Sequence, residues 1–242
     1  MNKDNQIINK LYKNYFSIHH WLNDVDIISM HKKNWKVLDK NLWYLFNDPY
    51  KKVLEIWSWP GNFASFLKNK WFKNYTWLDL SKEEIDFCKN LFNSNNFKFI
   101  HWNIFDINDK IDHNYDIIFT SHIFEHLSLY EWYNFIWIIK EKLKRWGIWI
   151  NIMPNADAYF YSYASFCWDI THKRIYNASS FSDLLKLNWF KNIEHRNPII
   201  GSNLLQRLLH KIAIKVFNII LILLSYWTKK YYTSNLITII KK

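Results

Sequence analysis

The sequence predicts an α/β protein built on a doubly wound, largely parallel sheet of seven strands. Two observations carry that prediction. From Lys51 onward, short apolar runs alternate with longer amphipathic ones, the pattern of successive βα units. The 242 residues are 50% apolar and 20% aromatic, enough to bury one large core and too apolar for disorder.

Residues 1–50 read as helical and aromatic without strand alternation, and are expected to form an N-terminal helical extension or lid outside a sheet domain of 51–242. Strands are expected at Val53–Ile56, Asn74–Leu80, Phe97–His101, Tyr115–Thr120, Ile148–Met153, Phe190–Arg196 and Leu236–Ile240. Helices at about Asn62–Asn69, Lys82–Asn93 and Leu129–Lys144 connect the early strands, and Ser81 with Glu84 three residues on gives the second a capping box. Two connections break the rhythm. One, about 154–177, is rich in Tyr and Ser; the other, about 201–230, reads as a long apolar helix. Insertions of this size in a compact sheet protein serve as lids or docking segments.

Cys88 and Cys167 are too few and too far apart for a disulfide framework or a thiolate zinc site, and Met1 to Lys10 is polar. A cytoplasmic setting without a secretory signal is therefore expected. The formal charge is +11, yet only four of the 32 cations are arginine. Lys, Asn and Ile share A/T-rich codons, so part of the excess reflects genome composition, and the pull toward anionic partners is weighted accordingly. One number is anomalous. Ordinary usage would give about 17 glycines, whereas the chain has 3 Gly and 15 Trp.

The stretch Val53-Leu54-Glu55-Ile56-Trp57-Ser58-Trp59-Pro60-Gly61-Asn62 is an apolar strand that ends near an acid and turns into a helix. With glycine at 57 and 59 it would read V-L-E-I-G-S-G-P-G-N, where glycines let the backbone turn sharply and a ligand lie against it. Asp79 closes the second strand 24 residues after Glu55, close to the spacing of a ribose-binding acid. Further on come His101-Trp102-Asn103-Ile104, the run from Tyr115 to Leu127, Lys144-Arg145-Trp146-Gly147-Ile148-Trp149-Ile150 and Leu187-Asn188-Trp189-Phe190.

In these residues the chain resembles the class I S-adenosylmethionine-dependent methyltransferases, from about Val53 to Arg196 and again in the last strand. The resemblance implies a Rossmann-like doubly wound seven-stranded sheet, mostly parallel with one antiparallel strand, and S-adenosylmethionine as cofactor. It assigns cofactor binding to Glu55, Trp57, Ser58, Trp59, Gly61, Asp79, Leu80, Asn103, Ile104 and Thr120. Within that set Glu55 serves the methionine amino group or the turn beside it, Asp79 the ribose hydroxyls, and Asn103 with Ile104 the adenine.

At 57, 59, 77, 102, 146, 149 and 189, Trp stands where this family has Gly, and Trp71 and Trp168 read the same way. The expectation is that UGA codons, read as glycine in some bacterial lineages, are rendered here as Trp, and that the positions are turns and loop starts. An indole at 57 or 59 would crowd the methionine portion of the cofactor and strain a turn needing positive φ.

Methyl transfer needs alignment and, for a hydroxyl acceptor, a base. His122 and His126, four apart at the end of the fourth strand with Glu125 beside them, are the catalytic candidates, against a structural role for His126 in tying the loop down. No metal is expected, because H-x-x-E-H binds one on a helix with a further ligand. Trp168-Asp169-Ile170-Thr171-His172, with Gly at 168, resembles the G-D-x-T-H stretch of methyltransferases of surface polysaccharide or glycolipid pathways. Asp169 and His172 are therefore acceptor-site candidates, and Tyr159, which alternates with Tyr161 and Tyr163, is a further one as a ring for stacking on a sugar or a base. The alternatives are lid packing for the first two and, for the alternating tyrosines, a half-exposed strand or loop. No D/N-P-P-Y/F follows the fourth strand, which disfavours the amino-group enzymes of nucleic acids and glutamine, and neither cysteine follows a proline, which disfavours covalent attack on a pyrimidine.

Across 203–227, Arg207, Lys211, Lys215 and Asn218 form a polar stripe on an otherwise apolar helix whose longest apolar run is too short to span a bilayer. Such a helix lies in a membrane interface or packs on the sheet or another subunit. The expected activity is O-methylation of a sugar, glycolipid or small hydroxyl acceptor, in the cytoplasm or at the inner membrane face. Methylation of RNA is the second reading, without any appended RNA-binding motif, and a non-catalytic protein of the same fold is the third.

Overall fold

The computed structural model describes residues 24–57, 61–106, 111–199, 204–223 and 231–242. Ser58 and Trp59 lie outside the described residues, as do residues 1–23 of the N-terminal extension. Helix α1 (Asp24–Leu42) leads through a 3-10 turn into β1 (Lys52–Ile56), then α2 (Asn62–Asn69), β2 (Asn74–Asp79), α3 (Lys82–Phe92) and β3 (Phe97–His101). The second half runs β4 (Tyr115–Ser121), α4 (Leu129–Lys142), β5 (Leu143–Pro154), α5 (Tyr159–Trp168), α6 (Ala178–Leu187), β6 (Asn192–Arg196), α7 (Leu204–Leu223) and β7 (Asn235–Lys241).

The strands form one sheet in the order β3-β2-β1-β4-β5-β7-β6. The first five pair in parallel, and β7 runs antiparallel to both β5 and β6. Side chains of a strand alternate faces, so a sheet covered on both sides reads as continuous apolar runs. In β1, Val53 enters a core with Phe63, Phe66 and Trp77, whereas Leu54 and Ile56 enter a second core with Phe124, Trp132 and Trp149. The order reverses direction between β1 and β4, and at such a switch point the carboxyl ends of the strands leave a crevice for ligands.

Local chemistry sets the boundaries. Ser81 accepts the Glu84 amide proton at the start of α3, and Ser128 with Glu131 closes a full capping box on α4. Three expectations needed correction. β5 begins at Leu143, directly after α4, so residues 144–147 are strand rather than a turn. Gly147 is required there by close approach, since a Cβ would meet the Tyr115 carbonyl at 3.0 Å. The alternating tyrosines near 160 lie in helix α5 rather than in a strand or loop.

The third correction concerns the tryptophans. Trp77 and Trp149 are fully buried in the middle of β2 and β5, and Trp146 lies in the extended first half of β5, so these are not turn positions. Three others have the left-handed backbone that glycine favours: Trp57 at φ 49°, Trp71 at 60° and Trp189 at 66°. The last two share one geometry. After α2, the Trp71 amide donates to the Lys68 carbonyl and that of Phe72 to Leu67; after α6, Trp189 donates to Lys186 and Phe190 to Leu185. This is the Schellman motif, whose left-handed position is the usual place for glycine. Both indoles are exposed, at 76% and 78%, so they lose little packing if removed. Trp71→Gly and Trp189→Gly are each expected to raise stability by about 1 kcal/mol, read as a higher urea midpoint at unchanged m-value.

Candidate functional site

The site occupies the carboxyl ends of β1 to β4. On the β1–β2 side, Glu55 is buried and accepts a hydrogen bond from the Tyr75 hydroxyl of β2. Asp79, also buried, accepts from the Ser81 amide at 2.7 Å through Oδ1, which fixes the strand-to-helix turn. Glu84, one turn into α3, faces the same two acids. Burial pushes the Glu55 carboxyl well above its ordinary range, with the Tyr75 hydrogen bond opposing and the Asp79 charge adding to the rise. Burial likewise raises Glu84, helped by the charges of Asp79, Glu83 and Glu55. A nest of buried acids fits a ligand that is cationic and rich in hydroxyl donors.

The sign of the pH effect follows. A carboxyl with a raised folded value is already ionised in the unfolded chain when the folded state still holds its proton, so rising pH penalises folding. Glu55 and Glu84 are expected to cost the unliganded protein stability as pH climbs from about 4.5, the ordinary carboxylate value, through their raised folded values. Thermal unfolding across that window, compared with Glu84→Gln, checks it: the variant should show a shallower slope, with the Glu55 contribution remaining.

Gly61 opens α2 at φ 73°, and a Cβ there would meet Phe92 at 2.8 Å and His31 of α1 at 3.0 Å. The β1–α2 turn thus needs glycine at its far end for conformation and for space. At its near end stands Trp57, whose amide donates to the Leu78 carbonyl at 3.0 Å and whose indole packs against the His126 ring at 5.8 Å. The indole therefore lies toward β4, across the crevice between β1 and β4. On the β3 side, the Asn103 side chain accepts from the Phe105 amide at 3.0 Å, Ile104 is buried, and Leu80 is half-buried with its carbonyl 3.0 Å from His101 Nε2. Thr120 is fully buried. Its hydroxyl is 2.8 Å from Asn151 Oδ1 and accepts from the Trp149 indole at 2.9 Å, which ties it to β5 and not to the crevice.

A second cluster of side chains begins where β4 ends. His122 has φ 57°, rare for a residue with a side chain and costly unless the surroundings enforce it. Its amide is held by the Ile152 carbonyl at 2.9 Å, and its Nδ1 lies 3.0 Å from Glu125 Oε1. Glu125 is buried, with its backbone carbonyl accepting from the amides of Lys173 and Arg174. Those bonds dock the 169–174 segment onto the turn after β4. Burial works to raise the Glu125 carboxyl, but the His122 hydrogen bond and the charges of His122 and His126 outweigh it, leaving the value below the ordinary one. It is a carboxylate at neutral pH, and an acceptor-only group 3.0 Å from Nδ1 fixes the tautomer. His122 carries its proton on Nδ1 and presents a basic Nε2.

His126 is tied differently. Its Nδ1 lies 2.7 Å from Thr171 Oγ1, and that hydroxyl donates to Asp169 Oδ1 at 2.6 Å. Burial works to raise the Asp169 carboxyl, but hydrogen bonds from Thr171 overcome it and hold the carboxyl low. The Thr171 proton therefore goes to Asp169, and its lone pair receives Nδ1–H of His126. Burial drives the His126 pKa down to about 4, with Glu125 opposing and His172 assisting, so the ring is neutral at physiological pH. The His172 ring lies 4.7 Å from it, edge to face.

The structure thus brings together His122, His126, Asp169 and His172, and separately Glu55 and Asp79. Tyr159 begins α5. From sequence, Thr171 and Tyr75 had no assigned role, and Glu84 only that of a cap residue beside Ser81. For Thr171 the signal was present, because Asp-x-Thr is the spacing at which an aspartate side chain bonds the backbone two residues on; Tyr75 comes beside Glu55 through the parallel pairing of β1 and β2, and Glu84 through the first turn of α3.

Residues 54–150 match the methyltransferase domain family. No curated protein matches the chain in sequence. Solved structures do. A SAM-dependent methyltransferase from Archaeoglobus fulgidus aligns at TM-score 0.66 and 17% identity, over 88% of this chain and 94% of its own. The DhpI–SAM–HEP complex aligns at 0.62 and 12%, over 98% and 97%. The 1,6-didemethyltoxoflavin N1-methyltransferase of Burkholderia thailandensis, solved with 1,6-didemethyltoxoflavin and S-adenosylhomocysteine, aligns at 0.58 and 12%, over 98% and 89%. At these identities the structural likeness speaks for the fold, while the domain match covers the strands that carry Glu55 and Asp79 and the turn after β4 that carries His122. The acid nest suits the cofactor's cationic and hydroxyl groups, while among the described residues the Trp57 indole is a misfit in the crevice. Domain match, sheet order and acid nest agree: the fold is that of the class I S-adenosylmethionine-dependent methyltransferases, and residues 54–150 match a methyltransferase domain.

Proposed function

We propose that the protein methylates a hydroxyl of a small acceptor, a sugar or glycolipid headgroup, with His122 as the base. The carrying observation is the carboxylate–imidazole pair at the end of β4, in which Glu125 holds the Nδ1 proton and leaves Nε2 basic. When bound, S-adenosylmethionine supplies an electrophilic methyl group whose leaving group is a neutral thioether, so the protein need not assist departure. Glu55 and Asp79 hold its charged and ribose ends, and Asn103 with Ile104 borders the base. His122 Nε2 takes the hydroxyl proton as the acceptor oxygen bonds to carbon, and the buried Glu125 carboxylate steadies the imidazolium. Asp169, His172 and the start of α5 at Tyr159 border the acceptor. The test is transfer of a labelled methyl group to panels of hydroxyl and amine acceptors and to RNA. An ether product supports the reading; an N-methyl product or labelled RNA replaces it.

The acid nest predicts linkage at the cofactor. A cationic ligand favours carboxylates over carboxylic acids, so binding should release protons and affinity should rise with pH through the raised Glu55 and Glu84 values. Calorimetry in buffers of differing ionisation enthalpy reads this directly.

Helix α7 supports contact with an anionic membrane surface. Leu205, Leu208, Ile212, Val216, Ile219 and Leu223 form one exposed apolar face, with Lys211 and Lys215 along its border. Among the described residues no helix is long and apolar enough to cross a membrane. The protein is expected to sediment with anionic vesicles and Ile212→Asp to remain in the supernatant; equal partition of both would count against the contact. The left-handed backbone at Trp57, Trp71 and Trp189 supports glycine as the encoded residue there, and UGA at those codons is the corresponding expectation for the gene.

A further inference from the structure

The acceptor side contains more chemistry than a single base requires. Glu125, His126 and His172 each offer a ligand atom, and the three atoms lie within 4.8 Å of one another. From this geometry we infer that Glu125, His126 and His172 form a binding site for a divalent first-row transition cation such as Zn²⁺ or Mn²⁺, with an open position toward the acceptor.

Three independent observations support the site. Glu125 is 1% exposed, and while Oε1 serves His122, Oε2 is buried with no hydrogen-bond partner among the described residues. A buried carboxylate oxygen left without a donor is costly, and a cation satisfies it. His126 is held in the required tautomer by a relay of its own: Asp169 fixes the Thr171 hydroxyl, which receives Nδ1–H, so the lone pair is on Nε2. Ligating histidines are characteristically oriented in this way by a partner on the other ring nitrogen. The third ligand comes from across the fold. His172 is 46 residues from His126 and reaches it because the 169–174 segment is clamped to the Glu125 carbonyl. The missing ligand in H-x-x-E-H is therefore supplied by tertiary structure.

Two imidazoles and one carboxylate form a donor set that suits Zn²⁺, Mn²⁺ or Co²⁺ and leaves coordination positions for substrate. Coordination at about 2.0–2.2 Å requires the three side chains to draw together slightly, which the half-buried histidines allow. An acceptor oxygen bound there would be more acidic and would lie beside His122. This inference rests on the proposed hydroxyl chemistry for its purpose, but not for its existence.

The experiment is a titration of the metal-free full-length protein with Zn²⁺ and Mn²⁺ by calorimetry, and with Co²⁺ by visible absorption. One equivalent is expected to bind, with a visible Co²⁺ band. His172→Ala, at a half-buried position that tolerates truncation, should weaken binding at least a hundredfold, and Thr171→Val by about 10- to 100-fold through loss of orientation. The surface variant His113→Ala should bind like the parent. Folded parent protein that binds no equivalent, or binding unchanged in His172→Ala, overturns the site. Metal binding with turnover unaffected by loss of His122 would leave the site standing and remove the base; turnover lost with His122 but no metal bound would do the reverse.

Discussion

Replacement of Trp57 by glycine is expected to raise the affinity for S-adenosylmethionine at least tenfold. The indole at this position has two costs. Its backbone has φ 49°, a conformation worth about 1–3 kcal/mol of strain for a residue with a side chain. Its ring packs on His126 at 5.8 Å, across the crevice between β1 and β4. Binding requires that ring to leave its contact or the ligand to sit away from the β1–α2 turn. A tenfold change corresponds to about 1.4 kcal/mol, the scale of displacing one aromatic contact; the backbone strain is common to free and bound protein and bears on stability instead. Calorimetric titration of parent and variant decides it: equal affinities in two folded proteins would mean that the indole is not in the ligand's way. A gain at Trp57 with no change at Trp71→Gly would localise the effect to the cleft, since Trp71 caps α2 at the surface.

Removal of the His122 imidazole is expected to lower kcat by about 10²- to 10⁴-fold while leaving the cofactor dissociation constant within about a factor of two. His122→Asn is the variant of choice, because asparagine tolerates the left-handed backbone that this position adopts at φ 57°. The loss should shrink for an acceptor whose hydroxyl is more acidic, because less depends on the base when the proton leaves readily. Glu125→Gln should act in the same direction, since it removes the charge that steadies the imidazolium and fixes its tautomer. Turnover retained by folded, cofactor-binding His122→Asn would place the base elsewhere. His126 is a weaker candidate for that role. Its pKa near 4 leaves it neutral, but with little tendency to hold a proton.

Sequence patterning was enough for the architecture, because a sheet buried on both faces imposes long apolar runs and its helices impose caps. β3 and α2 fall where the sequence put them, and β1, β2, β4 and β7 differ by one residue at one or both ends. Glu55 and Asp79 were legible for the same reason: an acid closing an apolar strand is conspicuous. What the pattern misjudged depended on the backbone path. Nothing in Lys144-Arg145-Trp146-Gly147 says that α4 passes straight into β5, because a charged, exposed strand beginning and a turn have the same composition. The excess of tryptophan was visible in composition alone, yet only dihedral angles separate Trp57, Trp71 and Trp189 from Trp77 and Trp149, which are extended and buried.

The acceptor side divides along the same line. His122, Glu125 and His126 are close in sequence, so their proximity was determined locally by the end of β4. His172, Thr171 and Asp169 lie more than forty residues away, and whether they reach His126 depends on two backbone hydrogen bonds to the Glu125 carbonyl. Local sequence determines strands, caps and acids through short-range sterics and hydrogen bonding. The protonation of Glu125 and His126, the tautomers of both imidazoles and the three-ligand cluster come from burial and long-range contact, which exist only once the chain has folded.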